Sequence, residues 1–256
     1  MRIVLIGTGN VATRLGMALQ AKNRYIVQVF GRSETDTSRL ASMLGCSFTN
    51  NIKNVSSDAV AYLMAVSDDA IPGLAAELPM ENKLIFHTAG SVSMDALAPF
   101  SENYGVLYPL QTLSAQKEVD FSHIPLCIEA NNEANYEKLR TLAATITDQV
   151  VDMNSQQRRQ LHLAAVYVCN FVNHLYAIGE ELLKEKNLDC NLLKPLILET
   201  ANKAMQFSPK EVQTGPAIRG NKAVLESHLN MLELHPEWQK IYELISKDIS
   251  KWTMDN

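Results

Sequence analysis

The N-terminal stretch RIVLIGTGNVATRLG constrains the fold more than any other part of the sequence. A short apolar run leads directly into Gly7, Gly9 and Ala12, which have the spacing G-x-G-x-x-A, and a helical pattern follows. In such a unit the first glycine permits a tight turn, the second lets a pyrophosphate approach the backbone, and the alanine lets helix and strand pack closely. The amide groups at the helix start add an anion site. A tight turn without a ligand is the alternative. The predicted contacts to the dinucleotide are Gly7, Gly9, Asn10 and Val11.

The chain changes its pattern near residue 153, which predicts two domains. Residues 1–153 alternate short β-rich runs with helical stretches, which is typical of an α/β Rossmann-type, doubly wound and mainly parallel sheet. The remaining residues, 154–256, show helical patterns only and predict an all-α C-terminal domain. The predicted strands are 3–6, 26–30, 59–65, 83–87, 106–108, 125–129 and 149–151. The predicted helices are 11–21, 35–44, 70–77, 92–98, 135–145, 155–186, 191–207, 221–234 and 236–251.

Composition excludes several classes of protein. The net charge is −5 and no Lys/Arg block occurs, so we expect no nucleic-acid partner. The apolar runs are shorter than the ~18 residues of a membrane span, so none is expected. The four cysteines lie far apart, which favours free thiols and a cytoplasmic location. The histidines show no ligand spacing with cysteine or acidic residues, so we predict no metal site.

The identity of the dinucleotide is indicated at the end of the second predicted strand, in the sequence QVFGRSETD. An NAD site has an acidic residue there, about 20 residues beyond the glycine turn, to bind the ribose 2′-hydroxyl. This chain has Arg32 and Ser33 instead, and a guanidinium and a hydroxyl suit a 2′-phosphate. The sequence therefore favours NADP over NAD, although Glu34 or Asp36 offers a carboxylate nearby.

Two later loops are expected at the same crevice, because ligands of such sheets lie at the carboxyl ends of the strands. Each follows an apolar run and consists of small or polar residues. The predicted cofactor contacts there are Val66, Ser67, His87, Thr88, Ala89 and Gly90. A buried histidine bonded to backbone groups is the alternative for His87.

The segments GTGNVA, GRS, AVSDDAI and FHTAGS together resemble the NADP-binding half of the 6-phosphogluconate/β-hydroxyacid dehydrogenase superfamily, which includes pyrroline-5-carboxylate reductase and the deazaflavin-dependent NADP oxidoreductases. The segments YPLQTLS, HLAAVYVCNFVNHL and TGPAIRGN are similar to a bacterial family with a Rossmann-like domain and a domain of unknown function. This resemblance covers essentially the whole chain. It implies NADP binding and a helical domain that forms a homodimer, but no established substrate.

The helix QLHLAAVYVCNFVNHLY raises the question of catalysis, because it has polar residues among apolar ones. At 100° per residue, His162, Asn170 and Asn173 share one stripe, which could face a cleft between the domains. The resemblance implies a catalytic lysine one turn before the asparagine, but Val166 occupies that position. His162 is then the best proton donor, with Asn170 and Asn173 as orienting groups. Mutual hydrogen bonding of these side chains at an interface is the alternative.

The loop TGPAIRGN adds Arg219, which suits an anionic substrate group or the cofactor phosphates, or else pairs with a local acid. These features predict an NADP-dependent reductase or dehydrogenase that acts on a small, polar, anionic substrate in the interdomain cleft. A non-catalytic NADP(H)-binding sensor or interaction protein is the main alternative. Deazaflavin:NADP oxidoreduction is a further one, which the polar helix face does not favour.

Overall fold

The computed structural model describes residues 1–23, 25–79, 82–114 and 117–252. Its strands are β1 (Ile3–Ile6), β2 (Ile26–Phe30), β3 (Ser47–Thr49), β4 (Ala61–Met64), β5 (Leu84–His87), β6 (Tyr104–Pro109), β7 (Leu126–Ala130) and β8 (Val150–Asp152). Its α-helices are α1 (Asn10–Asn23), α2 (Glu34–Leu44), α3 (Ile71–Glu77), α4 (Glu133–Ala144), α5 (Ser155–Ala165), α6 (Val172–Lys184), α7 (Lys194–Gln206), α8 (Lys222–Met231) and α9 (Pro236–Lys251).

The strands form one sheet in the order β3-β2-β1-β4-β5-β6-β7-β8. All neighbours are parallel except β6 and β7, which are antiparallel. The first six strands have the order of a doubly wound dinucleotide-binding sheet, and the order reverses between β1 and β4. The predicted fold class, a mainly parallel Rossmann-type sheet followed by a helical region, is confirmed.

Alternate residues of the central strands belong to separate halves of the core. Ile3 and Leu5 of β1 pack with residues of α1, α2 and α4, whereas Val4 and Ile6 pack with residues of α3. Every residue of β1, β4 and β5 is buried, as expected for parallel strands with both faces covered. This packing explains why these strands read as continuous apolar runs in the sequence.

Two local predictions differ from the structure. The short edge strand Ser47–Thr49 was not predicted, because two of its three residues are exposed and it has no apolar run. The predicted helix over 92–98 is a single 3₁₀ turn, Met94–Leu97, whose N-cap Ser93 accepts a hydrogen bond from the Asp95 amide. Ser93 and Asp95 side chains compete with helical backbone bonding here, which favours a short turn.

The chain divides into two compact units, Met1–Asn170 and Phe171–Asn256. The first unit therefore extends beyond the predicted boundary at residue 153 and includes the whole of α5. A π-helical turn, Val166–Phe171, follows α5 directly and leads into α6. In the described part of the second unit, only Ala217 and Leu232 are buried.

The helical run Ser155–Lys184 is long and apolar enough to cross a membrane, by length and composition only. The most apolar stretch of 18 residues in this run has a mean hydropathy of 1.3, and none of the residues in that stretch is buried. From the sequence we expected no helix of this kind. A single such helix is weak evidence for a membrane span.

Candidate functional site

A pocket of about 1320 Å³ in the first unit opens at the carboxyl ends of the central strands. It is larger than the roughly 300–1,000 Å³ typical of small-molecule sites, so a dinucleotide and a small second molecule fit its volume. Most of the predicted site residues line it. They are Gly7, Gly9, Asn10, Val11, Arg32, Ser33, Val66, Ser67, Thr88, Ala89, Gly90, His162 and Asn170.

The glycine turn leaves room for a ligand at the start of α1. Gly7 has φ +116°, and a Cβ added there would lie 2.2 Å from the Ala65 carbonyl oxygen, so no other residue fits. A Cβ added at Gly9 would meet no atom within 4 Å. Gly7 is thus required by the backbone, whereas Gly9 borders open space where a pyrophosphate can approach the helix amides.

The tip of β2 presents one cation to the pocket. Arg32 is exposed and forms no ion pair with a described residue. The Ser33 hydroxyl accepts a hydrogen bond from the Asp36 amide at 3.3 Å and so caps α2. The carboxylate of Asp36, which also lines the pocket, is 3.0 Å from the guanidinium of Arg39. The acidic residue of α2 that lines the pocket is therefore paired with a basic residue of its own helix.

His87 lies behind the pocket and does not line it. Its side chain is fully buried, and Nδ1 accepts a hydrogen bond from the Ala89 amide at 3.1 Å. Nδ1 is an acceptor, so the proton is on Nε2, which lies 3.4 Å from the Ser93 carbonyl oxygen. Burial lowers the pKa of His87 to about 4, and the neighbouring charge of Arg158 acts in the same direction. The neutral imidazole therefore holds the Ala89–Gly90 loop from beneath.

The loops after β4 and β5 are joined at the pocket edge. The Ser91 hydroxyl donates a short hydrogen bond to the carboxylate of Asp68. This bond ties together the two loops in which Val66, Ser67, Ala89 and Gly90 lie, and it places a carboxylate beside them. Both loops were predicted from sequence, but the bond between them was not.

His162 is paired with a residue that sequence reasoning did not select, Tyr108 at the end of β6. The Tyr108 hydroxyl lies 3.1 Å from His162 Nδ1, and both residues line the pocket. The ring of His162 also packs against Gly90, where an added Cβ would lie 2.6 Å from Nδ1. The sequence signal was a tyrosine before Pro109, where a strand of the sheet ends at the predicted crevice.

The π-helical turn interrupts the predicted stripe of polar residues. Val166, Cys169 and Asn170 line the pocket together with His162. A π turn closes i to i+5 instead of i to i+4, so the α-helical spacing from His162 to Asn173 is not maintained. Asn173 and Arg219 belong to the second unit. Arg219 is exposed and forms no ion pair with a described residue.

Among the residues that the structure describes, no group of three or more His, Cys, Asp or Glu side chains is placed to hold a metal ion. All four cysteines are free thiols.

The sheet order and the glycine turn at the switch point define the Rossmann class of nucleotide-binding folds. Residues 1–111 match the family model of a Rossmann-like domain, and residues 124–249 match a domain of unknown function (DUF2520). No curated protein sequence matches the chain.

Three solved structures show how far the similarity extends. A "putative NADP oxidoreductase" from Bacteroides fragilis is 42% identical, with a TM-score of 0.92 and 98% of each chain covered. An imine reductase from Myxococcus stipitatus, solved in complex with NADP+, is 13% identical and has a TM-score of 0.70. That similarity covers 100% of this chain and 95% of the imine reductase chain. A pyrroline-5-carboxylate reductase from Coxiella burnetii is 17% identical and has a TM-score of 0.59. That similarity covers 97% of this chain and 98% of the reductase chain.

The chain belongs to the family that the Bacteroides fragilis protein represents. In this chain a Rossmann-like domain precedes the domain of unknown function. This confirms the family resemblance inferred from the sequence segments. The more distant structures, at identities below 20%, share the fold.

Proposed function

We propose that the protein is an NADP-dependent oxidoreductase that transfers a hydride between NADP(H) and a small polar substrate. One observation supports this most strongly. A single pocket joins the glycine turn, the Arg32–Ser33 strand tip and the Tyr108–His162 pair. The proposal assigns these residues to the phosphates, the ribose and the proton transfer, and it is supported by their lining one pocket of suitable volume.

The residues fit NADP better than NAD. The exposed Arg32 has no described ion-pair partner, so its guanidinium is available for a 2′-phosphate. The carboxylate that would bind a 2′-hydroxyl, Asp36, is held by Arg39 at 3.0 Å. The description of the Bacteroides fragilis relative as a "putative NADP oxidoreductase" supports the same choice.

Each group of the pocket then has a distinct role. The amides at the start of α1 bind the pyrophosphate, and Arg32 and Ser33 bind the 2′-phosphate. Val66, Ser67, Thr88, Ala89 and Gly90 form the walls beside the cofactor. Bound NADP(H) supplies the hydride, while His162 holds or donates the proton and Asn170 orients the polar group of the substrate.

The anionic nature of the substrate rests on Arg219, whose exposed guanidinium lacks a described ion-pair partner. We propose that Arg219 binds a carboxylate or phosphate group and that Asn173 assists in orienting the substrate. A non-catalytic NADP(H)-binding protein is the competing function, and it predicts NADPH binding without turnover.

The central test replaces the proposed 2′-phosphate ligand. Arg32→Gln removes a charge-assisted interaction of about 1.5–3 kcal/mol, so it should raise the Kd for NADPH about 10- to 100-fold. The Kd for NADH should change less than about 3-fold, because NADH has no 2′-phosphate. Fluorescence titration of both nucleotides measures this difference.

Arg140→Gln is the matched control, because Arg140 lies on α4, outside the pocket, and pairs with Glu137 at 3.6 Å on the surface. It should bind both nucleotides like the unmodified protein. Equal losses of NADPH and NADH affinity in Arg32→Gln would contradict the role assigned to Arg32.

We also propose that the protein is a homodimer formed through its helical region. Large apolar side chains of this region are exposed, among them Leu196 at 63%, Leu198 at 62% and Met205 at 87%. A unit of this size with two buried described residues lacks a core of its own, and a second copy of the same face is the partner that the family resemblance implies.

We further propose a cytoplasmic location, because the four cysteines of the protein are free thiols.

A further inference from the structure

The Tyr108–His162 pair has the geometry of a connected hydrogen-bonding unit at the pocket wall. The Tyr108 hydroxyl and His162 Nδ1 are 3.1 Å apart, and the rings meet edge-on with an interplanar angle of 75°. Tyr108 is 9% exposed, and its hydroxyl forms no other hydrogen bond with a described residue. A buried phenol of this kind requires a partner, and His162 is the one available.

The second nitrogen of His162 is free to serve the pocket. Nε2 forms no hydrogen bond with a described residue, and it is not among the buried polar atoms that lack a partner. Gly90 also lies against the Nδ1 side of the ring, where an added Cβ would be 2.6 Å from Nδ1. The ring is therefore held on its Nδ1 side by Tyr108 and Gly90, and Nε2 remains accessible.

The charges around the pair are already balanced. Arg158 on α5 and Cys127 on β7 are the titratable groups that act on Tyr108, and the charge of Arg158 is paired with Glu129. His87 beneath the neighbouring loop is neutral, and Asp68 is bonded to Ser91. Burial raises the pKa of Tyr108, so the phenol is protonated across the physiological range.

We propose that Tyr108 and His162 form a proton relay in which the phenol supplies Nδ1 while His162 Nε2–H protonates the oxygen of a carbonyl substrate. This inference rests on the proposed function and adds Tyr108 as the group that supplies a proton to His162. The hydride from bound NADPH forms the new C–H bond and the C=O π electrons move to oxygen. Oxygen takes the Nε2 proton, and Nδ1 takes the phenol proton.

The proton balance favours a carbonyl substrate. The product alkoxide is a stronger base than a phenolate, so the transfer is downhill even from a buried tyrosine. The phenolate left on Tyr108 regains its proton through His162: Nε2 takes a proton from solvent, and Nδ1 returns its proton to the phenolate. An iminium substrate arrives already protonated and needs no such donor, so a relay here is selective for C=O chemistry.

Kinetics as a function of pH tests the relay. Glyoxylate and methylglyoxal serve as small carbonyl probes, with NADPH oxidation followed by absorbance. We expect kcat/KM of the unmodified protein to stay level over roughly pH 7–9, because burial raises the pKa of Tyr108, so the phenol keeps its proton there and can supply it to the ring. In Tyr108→Phe the ring must take its second proton from solvent before it can donate, so kcat/KM should fall about tenfold per pH unit on the alkaline side. An unchanged profile in Tyr108→Phe would overturn the relay.

Tyr104→Phe is the matched control, because Tyr104 is also on β6 but does not line the pocket. It should keep the level profile. Binding of NADPH with no oxidation by either probe would count against the enzymatic part of the proposed function. Nitrogen-15 NMR then tests the Tyr108–His162 hydrogen bond independently of turnover.

Nitrogen-15 NMR of the histidine rings tests the pairing without a substrate. His162→Asn assigns the signals of His162. We expect the Nε2–H tautomer to dominate in the unmodified protein and in Tyr104→Phe, and both tautomers to be populated in Tyr108→Phe. The same tautomer populations in all three proteins would overturn the pairing.

Discussion

At the scale of single residues, His87 links protein stability to pH. Its side chain is fully buried, and burial lowers its pKa to about 4, below the ~6.5 of an unfolded chain. The unfolded state therefore binds the proton more readily, and the free energy of unfolding should fall as pH drops from about 6.5 towards 4. The expected loss is about 3 kcal/mol at pH 4, and the loss should be absent above pH 7. Urea denaturation at a series of pH values measures it.

His87→Asn should remove most of this pH dependence, because an amide oxygen can still accept from the Ala89 amide but does not titrate. His123→Gln is the control, since His123 is exposed and its replacement should leave the pH dependence unchanged. If His87→Asn keeps the full acid sensitivity, another group is responsible.

Individual residues differed in how far the sequence could specify their role. Gly7 and Gly9 were assigned from their spacing together with the apolar strand before them and the helical pattern after them, because a strand–turn–helix unit has few solutions. Tyr108 was not selected, because its significance depends on a contact with a residue 54 positions away. The placement of His87 behind its loop likewise depends on a rotamer and a backbone bond, which no sequence pattern encodes.

At the scale of secondary-structure elements, a buried ion pair fixes the start of α5 to the sheet. The guanidinium of Arg158 is 1% exposed and pairs with the 12% exposed carboxylate of Glu129 on β7. The same carboxylate accepts from the Ser155 amide at 2.8 Å and from the Ser155 hydroxyl at 2.7 Å. One glutamate thus satisfies both the helix start and a buried cation, one helical turn before His162.

Glu129→Gln should lower the free energy of unfolding by about 3–5 kcal/mol, because it leaves a buried cation without a counter-charge. The double variant Glu129→Gln with Arg158→Met should recover part of this loss, since the unpaired charge is then absent. Chemical denaturation of the three proteins provides the comparison.

Glu137→Gln, which breaks a surface pair with Arg140, should cost less than about 1 kcal/mol and is the control. A loss of similar size in Glu137→Gln and Glu129→Gln would contradict the role of burial.

Strands and helices were predicted well where the sequence pattern is strong, as in the continuous apolar run of β1 and the helical spacing of apolar residues after Pro236 in α9. The π-helical turn Val166–Phe171 was missed, because its sequence VYVCNF suits an ordinary helix. The choice between i to i+4 and i to i+5 bonding depends on tertiary packing, and such turns are often found at functional sites. The α-helical spacing assumed for the predicted stripe therefore does not hold across this turn.

At the scale of the whole molecule, the exposed apolar helices predict a dimer. Light scattering coupled to gel filtration should give about twice the 28.5 kDa of one chain. Leu196→Lys places a charge on the exposed apolar face of α7 and should shift the mass towards one chain. The loss of apolar contacts should also lower the midpoint of thermal unfolding.

Met43→Lys is the control, because Met43 is 53% exposed on α2 in the first unit and should leave the mass unchanged. A monomeric mass for the unmodified protein at micromolar concentration would contradict the proposed dimer.

The central claim is that this fold binds NADP in the pocket at the switch point of its sheet. The most direct measurement is calorimetric titration of one protein preparation with NADPH and, separately, with NADH. The account predicts NADPH binding at least about tenfold tighter than NADH, because Arg32 meets the 2′-phosphate and Asp36 is held by Arg39. Equal binding of the two nucleotides, tighter binding of NADH, or binding of neither would contradict it.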